Sequence, residues 1–148
     1  MPRDDSFPNL NTKLADGRRP GGKPYTLLVV EDKEFQRKQL VQIFESEEYK
    51  VVGQAANGKE ALDILQRLSD PVDIITTDLD MPVLDGYALL FELKNLKHIP
   101  KVVFISEETT KGVMQDLISM GIADYILKPI NRRVVLERVK KVLDKFNL

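Results

Sequence analysis

Residues 72–78 read Val-Asp-Ile-Ile-Thr-Thr-Asp, a short apolar and β-branched run that stops at a carboxylate. Branching at Cβ favours extended backbone, and a run with few polar interruptions suits a strand covered on both faces. Four further runs share this character: TLLVV at 26–30, KVVGQ at 50–54, KVVFIS at 101–106 and ADYILK at 123–128. With VDIITT at 72–77 they predict five strands. The segments between them change period. Leu40, Ile43 and Phe44; Ala61, Leu65 and Leu68; Leu89, Leu93 and Leu96; Val113, Met114 and Leu117; and Val135, Val139, Val142 and Phe146 recur at helical spacing, one apolar stripe to each segment. Strand and helix alternating five times predict an α/β, doubly wound (βα)5 domain, a parallel sheet wrapped by helices. Right-handed crossovers leave few strand orders. A reversal of that order opens a crevice at the carboxyl ends of the strands, where ligands bind.

Around this pattern the composition is ordinary for a globular domain. The 148 residues leave room for about one domain and a tail. Lysine plus arginine number 22 against 23 aspartate plus glutamate, which argues against a polyanion binder driven by bulk charge; direct DNA binding is not expected. The absence of cysteine excludes disulfides, thiolate metal sites and a cysteine nucleophile. The single histidine, His98, excludes multi-histidine metal sites and reads as a solvated loop residue. No apolar run is long enough to span a membrane and the N-terminus lacks a secretory apolar core, so a cytoplasmic location is expected. Residues 1–24 hold four of the eight prolines and three of the eight glycines without apolar periodicity, and predict a flexible tail ahead of a domain at 25–148. Within the tail, Arg18 and Arg19 read as solvated.

The residues at the strand ends carry the chemistry. Glu31 and Asp32 follow the first strand, Asp78 follows the third, Ser106 ends the fourth and Lys128 ends the fifth. Two carboxylates about 4 Å apart at an effective dielectric near 20 repel by roughly 4 kcal/mol, so such a cluster needs cationic partners. Lys128 can neutralise one charge. An all-oxygen site without nitrogen or sulfur ligands suits a hard ion that keeps its waters, most simply Mg²⁺. A helix cap explains any one of these acids alone, Asp32 in particular, but not a serine and a lysine at the matching ends of later strands.

The segment Asp78-Leu79-Asp80-Met81-Pro82-Val83-Leu84-Asp85-Gly86 closely resembles the phosphoacceptor loop of response-regulator receiver domains. Glu31-Asp32, Ser106, Tyr125 and Lys128-Pro129 fall in that family's order at nearly its spacing, over residues 25 to about 146. The resemblance implies a flavodoxin-like fold with strand order 2-1-3-4-5 and a stand-alone, chemotaxis-regulator-like receiver. It implies that Asp78 accepts a phosphoryl group from a phosphohistidine on a sensor histidine kinase or histidine phosphotransfer protein. Asp32, supported by Glu31, would hold Mg²⁺ with Asp78 and the backbone carbonyl of Asp80. Lys128 and Ser106 would contact phosphoryl oxygens, and Ser106 with Tyr125 would form a switch. A cis peptide between Lys128 and Pro129 is implied too.

Departures from the family pattern and the remaining charges shape further expectations. Glu107, where the family has a small residue, brings bulk and negative charge to the rim over the acceptor, followed by Glu108. Asp80, two positions past the acceptor, falls by the resemblance at a variable position that tunes loss of the phosphoryl group, where its carboxylate would repel an attacking hydroxide and lengthen the life of a phosphoform. The last helix carries Arg132, Arg133, Arg138, Lys140, Lys141 and Lys145; it reads first as a solvated face and second as a dock for an acidic partner or a second copy. Output is expected through contact with a downstream protein. Two other readings stand beside this one. One is a haloacid-dehalogenase-like phosphatase using Asp78 and Asp80, although that family's motif ends the first strand. The other is a receiver-shaped interaction module without phosphotransfer.

Overall fold

Five parallel strands in the order β2-β1-β3-β4-β5 form the sheet: β1 Thr26–Val30, β2 Lys50–Ala55, β3 Ile74–Thr77, β4 Lys101–Ser106 and β5 Asp124–Leu127. The helices are α1 Glu34–Ser46, α2 Gly58–Arg67, α3 Gly86–Leu93, α4 Lys111–Ser119 and α5 Arg132–Lys145. This computed structural model describes residues 14–148.

Side-chain alternation along the central strands explains their unbroken apolar reading. Leu27, Val29, Ile74, Val103 and Ile105 point to one face and pack with Leu40, Phe44, Val135, Val139 and Val142 of α1 and α5. Leu28, Val30, Ile75, Val102 and Phe104 point to the other and pack with Ala61, Leu89, Leu93 and Leu117 of α2, α3 and α4. A strand with helices on both faces has no wet side to mark with polar residues. The edge strands depart from this rule. Most of β2 is half-buried or exposed, and Leu127 of β5 is 48 % exposed.

Element ends differ from the sequence reading where side chains take over the backbone's role. β3 starts at Ile74, two residues later than expected, because the Asp73 carboxylate accepts from the Thr26 amide and hydroxyl. Leu68 and Leu96 lie just beyond the ends of α2 and α3, yet both pack on the second core. Asn57, Asp85 and Asn131 cap α2, α3 and α5 through their side-chain oxygens. His98 is exposed in the loop after α3, as expected.

Of the segment expected as a tail, residues 1–13 lie outside the described residues. The remainder is tied to the domain. Gly17 donates to Glu47 O at 2.7 Å and accepts from the Tyr25 amide at 2.8 Å. Arg18 pairs with Glu48, and Arg19 pairs with Asp73 and lies over the Tyr25 ring. A Cβ on Gly17 would sit 2.2 Å from the Tyr49 amide nitrogen, so only glycine lets this strand of chain lie so close to the α1–β2 turn. These partners are distant in sequence, which is why proline and glycine content alone suggested a tail.

Candidate functional site

The sheet's hydrogen bonding continues past the strand ends and sets the site residues side by side. Asp78 donates its amide to Val30 O, Glu31 donates to Ala55 O, and Lys128 donates to Ser106 O. Glu31, Asp78, Ser106 and Lys128 therefore share one edge because parallel register places them there. The first three are at most 4 % exposed.

Lys128 Nζ lies 2.8 Å from Glu31 Oε1 and 2.8 Å from Asp78 Oδ2, with all three side chains almost fully covered. One ammonium thus balances two buried carboxylates. Burial pushes the Lys128 ammonium down, but its hydrogen bonds with Asp78 and Glu31 outweigh this and raise it above its ordinary range. Burial raises Glu31, against the opposing pull of Lys128. Carboxylate oxygens of Glu31, Asp32 and Asp78 lie within 4.8 Å of one another. Asp32 Oδ1 is buried and has no hydrogen-bond partner among the described residues. A buried, unpartnered anionic oxygen beside two other carboxylates is costly as it stands, and an all-oxygen set of this kind fits a hard divalent cation.

The loop after Asp78 is fastened at several points. Asp78 Oδ1 accepts from its neighbour's amide, Leu79 N, at 2.7 Å, leaving Oδ2 on the lysine. Thr77 Oγ1 donates to Asp78 O. Gly86 donates its amide to Leu79 O, and a Cβ there would sit 2.3 Å from Asp78 O, so the start of α3 presses directly on the acceptor's own peptide. Val83 takes φ 68 in a three-residue turn closed from Leu84 N to Pro82 O, a strained conformation for a β-branched residue. Its side chain is 80 % exposed.

Ser106 and Tyr125 meet through a residue whose importance lies in its backbone. Glu108 donates its amide to Ser106 Oγ at 3.3 Å and accepts the Tyr125 hydroxyl on its carbonyl at 2.7 Å. The Tyr125 ring is buried and stacked on Phe104 at 6.1 Å between centroids. Sequence reasoning missed this bridge, because any residue type supplies a peptide group. Asp80 and Glu107 stand exposed on the rim, where they line a hollow over Asp78 with Lys33 and Glu108. The Lys128–Pro129 peptide is cis, as expected. Among the described residues no helix is long and apolar enough to cross a membrane.

Comparisons with known proteins agree with this arrangement. Residues 27–140 match the family model for the response regulator receiver domain. The chain is 36 % identical over 137 residues to the chemotaxis protein CheY of Treponema pallidum, covering 93 % of this chain and 95 % of that protein. It is 32 % identical to a chain in the crystal structure of the CheX–CheY–BeF3–Mg²⁺ complex from Borrelia burgdorferi, with a TM-score of 0.83, covering 88 % of this chain and 98 % of the other. A protein-glutamate methylesterase/protein-glutamine glutaminase of Rhodospirillum centenum is 38 % identical over 120 residues, but the match spans only 30 % of that protein. The phosphatase alternative finds no support: Asp78 follows the third strand rather than the first. By sequence, topology and strand-end residues alike, this chain belongs to the response regulator receiver domain family.

Proposed function

We propose that this protein is a phosphorylation-dependent signalling receiver in which Asp78 takes a phosphoryl group from a phosphohistidine of a sensor histidine kinase or a histidine phosphotransfer protein. The observation that carries this reading is the 2.8 Å contact of Asp78 with Lys128, beside the Glu31 and Asp32 carboxylates. An Asp78 carboxylate oxygen forms the new P–O bond as the donor P–N bond breaks, and the imidazole nitrogen keeps the electron pair. Such transfer spreads charge over the equatorial oxygens, so the protein's task is positioning and positive charge rather than proton abstraction.

Asp32 and Asp78, supported by Glu31 and the backbone carbonyl of Asp80, would hold Mg²⁺, which when bound offsets negative charge on the phosphoryl oxygens. Lys128 exchanges its Asp78 contact for a phosphoryl oxygen, a role suited to a compact ammonium. Ser106 turns its hydroxyl toward another oxygen and loosens its hold on the Glu108 amide. Because the Glu108 carbonyl holds the Tyr125 hydroxyl, that movement passes to the face formed by α4 and β5, where Ile118 and Leu127 are exposed. A downstream protein or a second copy reads this face in the cytoplasm. Asp80 stands where it repels hydroxide and slows loss of the phosphoryl group.

Incubation with a small acyl phosphate and Mg²⁺ tests the proposal. One phosphoryl group should be added per chain, and a chelator should prevent it. A chain that takes no phosphoryl group under these conditions would instead be a phosphorylation-independent interaction module.

A further inference from the structure

Large apolar side chains stand exposed at every fourth position through the start of α3: Val83 is 80 %, Tyr87 41 % and Phe91 57 % exposed. Single exposed apolar residues need no explanation, but a row of them does. Tyr87 and Phe91 share one flank of α3, because Leu89, Leu90 and Leu93 turn the helix's other apolar side chains into the core. Val83 holds a branched side chain at φ 68, where glycine or asparagine costs less, and contacts within the chain offset little of that cost. The charges along the row are segregated. Asp80 and the α3 cap Asp85 stand exposed at its start, and Lys94 and Lys97 stand exposed at its end, with the Lys94 ammonium 5.3 Å from the centre of the Phe91 ring. None of these four has a salt-bridge partner among the described residues. Glu92 lies about 100° around the helix from Phe91, off the row.

We infer that this flank of α3 is where two copies of the chain meet, antiparallel about a two-fold axis near Tyr87. A two-fold interface must be complementary to itself, and this row is. Antiparallel pairing sets Tyr87 against Tyr87 of the second copy and Val83 against Phe91, and it brings the acidic start of each α3 to the basic end of the other. Parallel pairing would set like charges together. The basic helix α5 offers no such match, because Arg132, Arg133, Arg138 and Lys140 already pair with Glu47, Glu137, Asp124 and Asp144 of their own chain. The inference goes beyond the receiver reading and needs no phosphoryl transfer.

Sedimentation velocity of the full, unphosphorylated chain over a wide range of concentration tests the inference. The native protein should pass from monomer to dimer, and Phe91→Glu should raise the dissociation constant by about tenfold or more. Lys94→Glu should weaken the dimer at low salt and lose that effect as ionic strength approaches about 1 M. Both positions are exposed, so the variants should unfold in urea as the native protein does. Because the chain has no cysteine, an introduced thiol reports its own surroundings. A short bismaleimide should join two copies through Tyr87→Cys and not through Leu127→Cys on β5 or Lys141→Cys on α5. A dimer indifferent to Phe91→Glu, or one joined through position 127 or 141 instead of 87, would overturn the inference. So would a native chain that stays monomeric throughout, which would leave the row to a different protein; none of these results bears on Asp78 as the phosphoryl acceptor.

Discussion

Lys128 is the residue on which the site's electrostatics turn, because its single ammonium lies against two carboxylates that the fold has taken out of water. Removing one member of a buried charge cluster leaves the others uncompensated, at a cost of about 3 kcal/mol or more. Lys128→Met should therefore lower unfolding stability in urea by about 3 kcal/mol, and millimolar Mg²⁺ should recover part of the loss by binding the folded state alone. Stability equal to that of the native protein would show that the lysine is not balancing Glu31 and Asp78. At this scale the sequence was informative wherever a side chain's own chemistry mattered: three acids, a serine and a lysine at strand ends are visible as letters. The Glu108 bridge was not, because its contribution comes from an amide and a carbonyl that every residue possesses. Nor was the strained φ of Val83, since valine is a poor signal for a left-handed turn.

Helices and strands act here as rigid mounts, and the glycines at two helix starts separate mounting from propensity. Gly86 opens α3 with no room for a side chain: a Cβ would meet Asp78 O at 2.3 Å and the Phe104 ring at 2.9 Å. A Cβ on Gly112, in the first turn of α4, would meet nothing within 4 Å among the described residues. The same substitution should thus have opposite effects. Gly86→Ala should destabilise by about 2 kcal/mol and slow phosphorylation by moving the acceptor. Gly112→Ala should stabilise by about 0.5–1 kcal/mol through helix propensity and reduced unfolded-state freedom. Thermal unfolding of the two variants checks the sign. Element type and order were legible because each strand or helix is long enough to express its period. Boundaries were less so: the start of β3 is set by Asp73 reaching Thr26, a contact across 47 positions.

Over the whole molecule, the pole opposite the site is closed by residues 15–24, Tyr25, Tyr49 and the C-terminus. The Tyr25 hydroxyl donates to Leu148 O, and Gly17 lies on the Tyr49 amide. None of this could be read from local pattern, because every partner lies far away along the chain. Tyr49 is buried with its hydroxyl unpartnered among the described residues, and burial, reinforced by the charges of Asp16, Glu47 and Asp144, pushes its ionisation well above the ordinary tyrosine range. A raised folded-state pKa adds stability that is complete below the unfolded value near 10 and is lost as pH climbs toward the folded one. Lys128, also raised, acts in the same direction from its ordinary value near 10.5. Urea unfolding should show stability falling steeply above about pH 10, and Tyr49→Phe should flatten part of that fall without loss at neutral pH. An unaltered alkaline slope in the variant would remove Tyr49 from the explanation.

On the proposed function, the acids and the lysine gathered at one sheet edge make Asp78 the group that is esterified. Borohydride reduction of the protein after treatment with acyl phosphate and Mg²⁺ converts an aspartyl phosphate to homoserine, and peptide sequencing then locates it. Homoserine at position 78, absent when Mg²⁺ is withheld, is the predicted result; homoserine at any other position, or none, would contradict it.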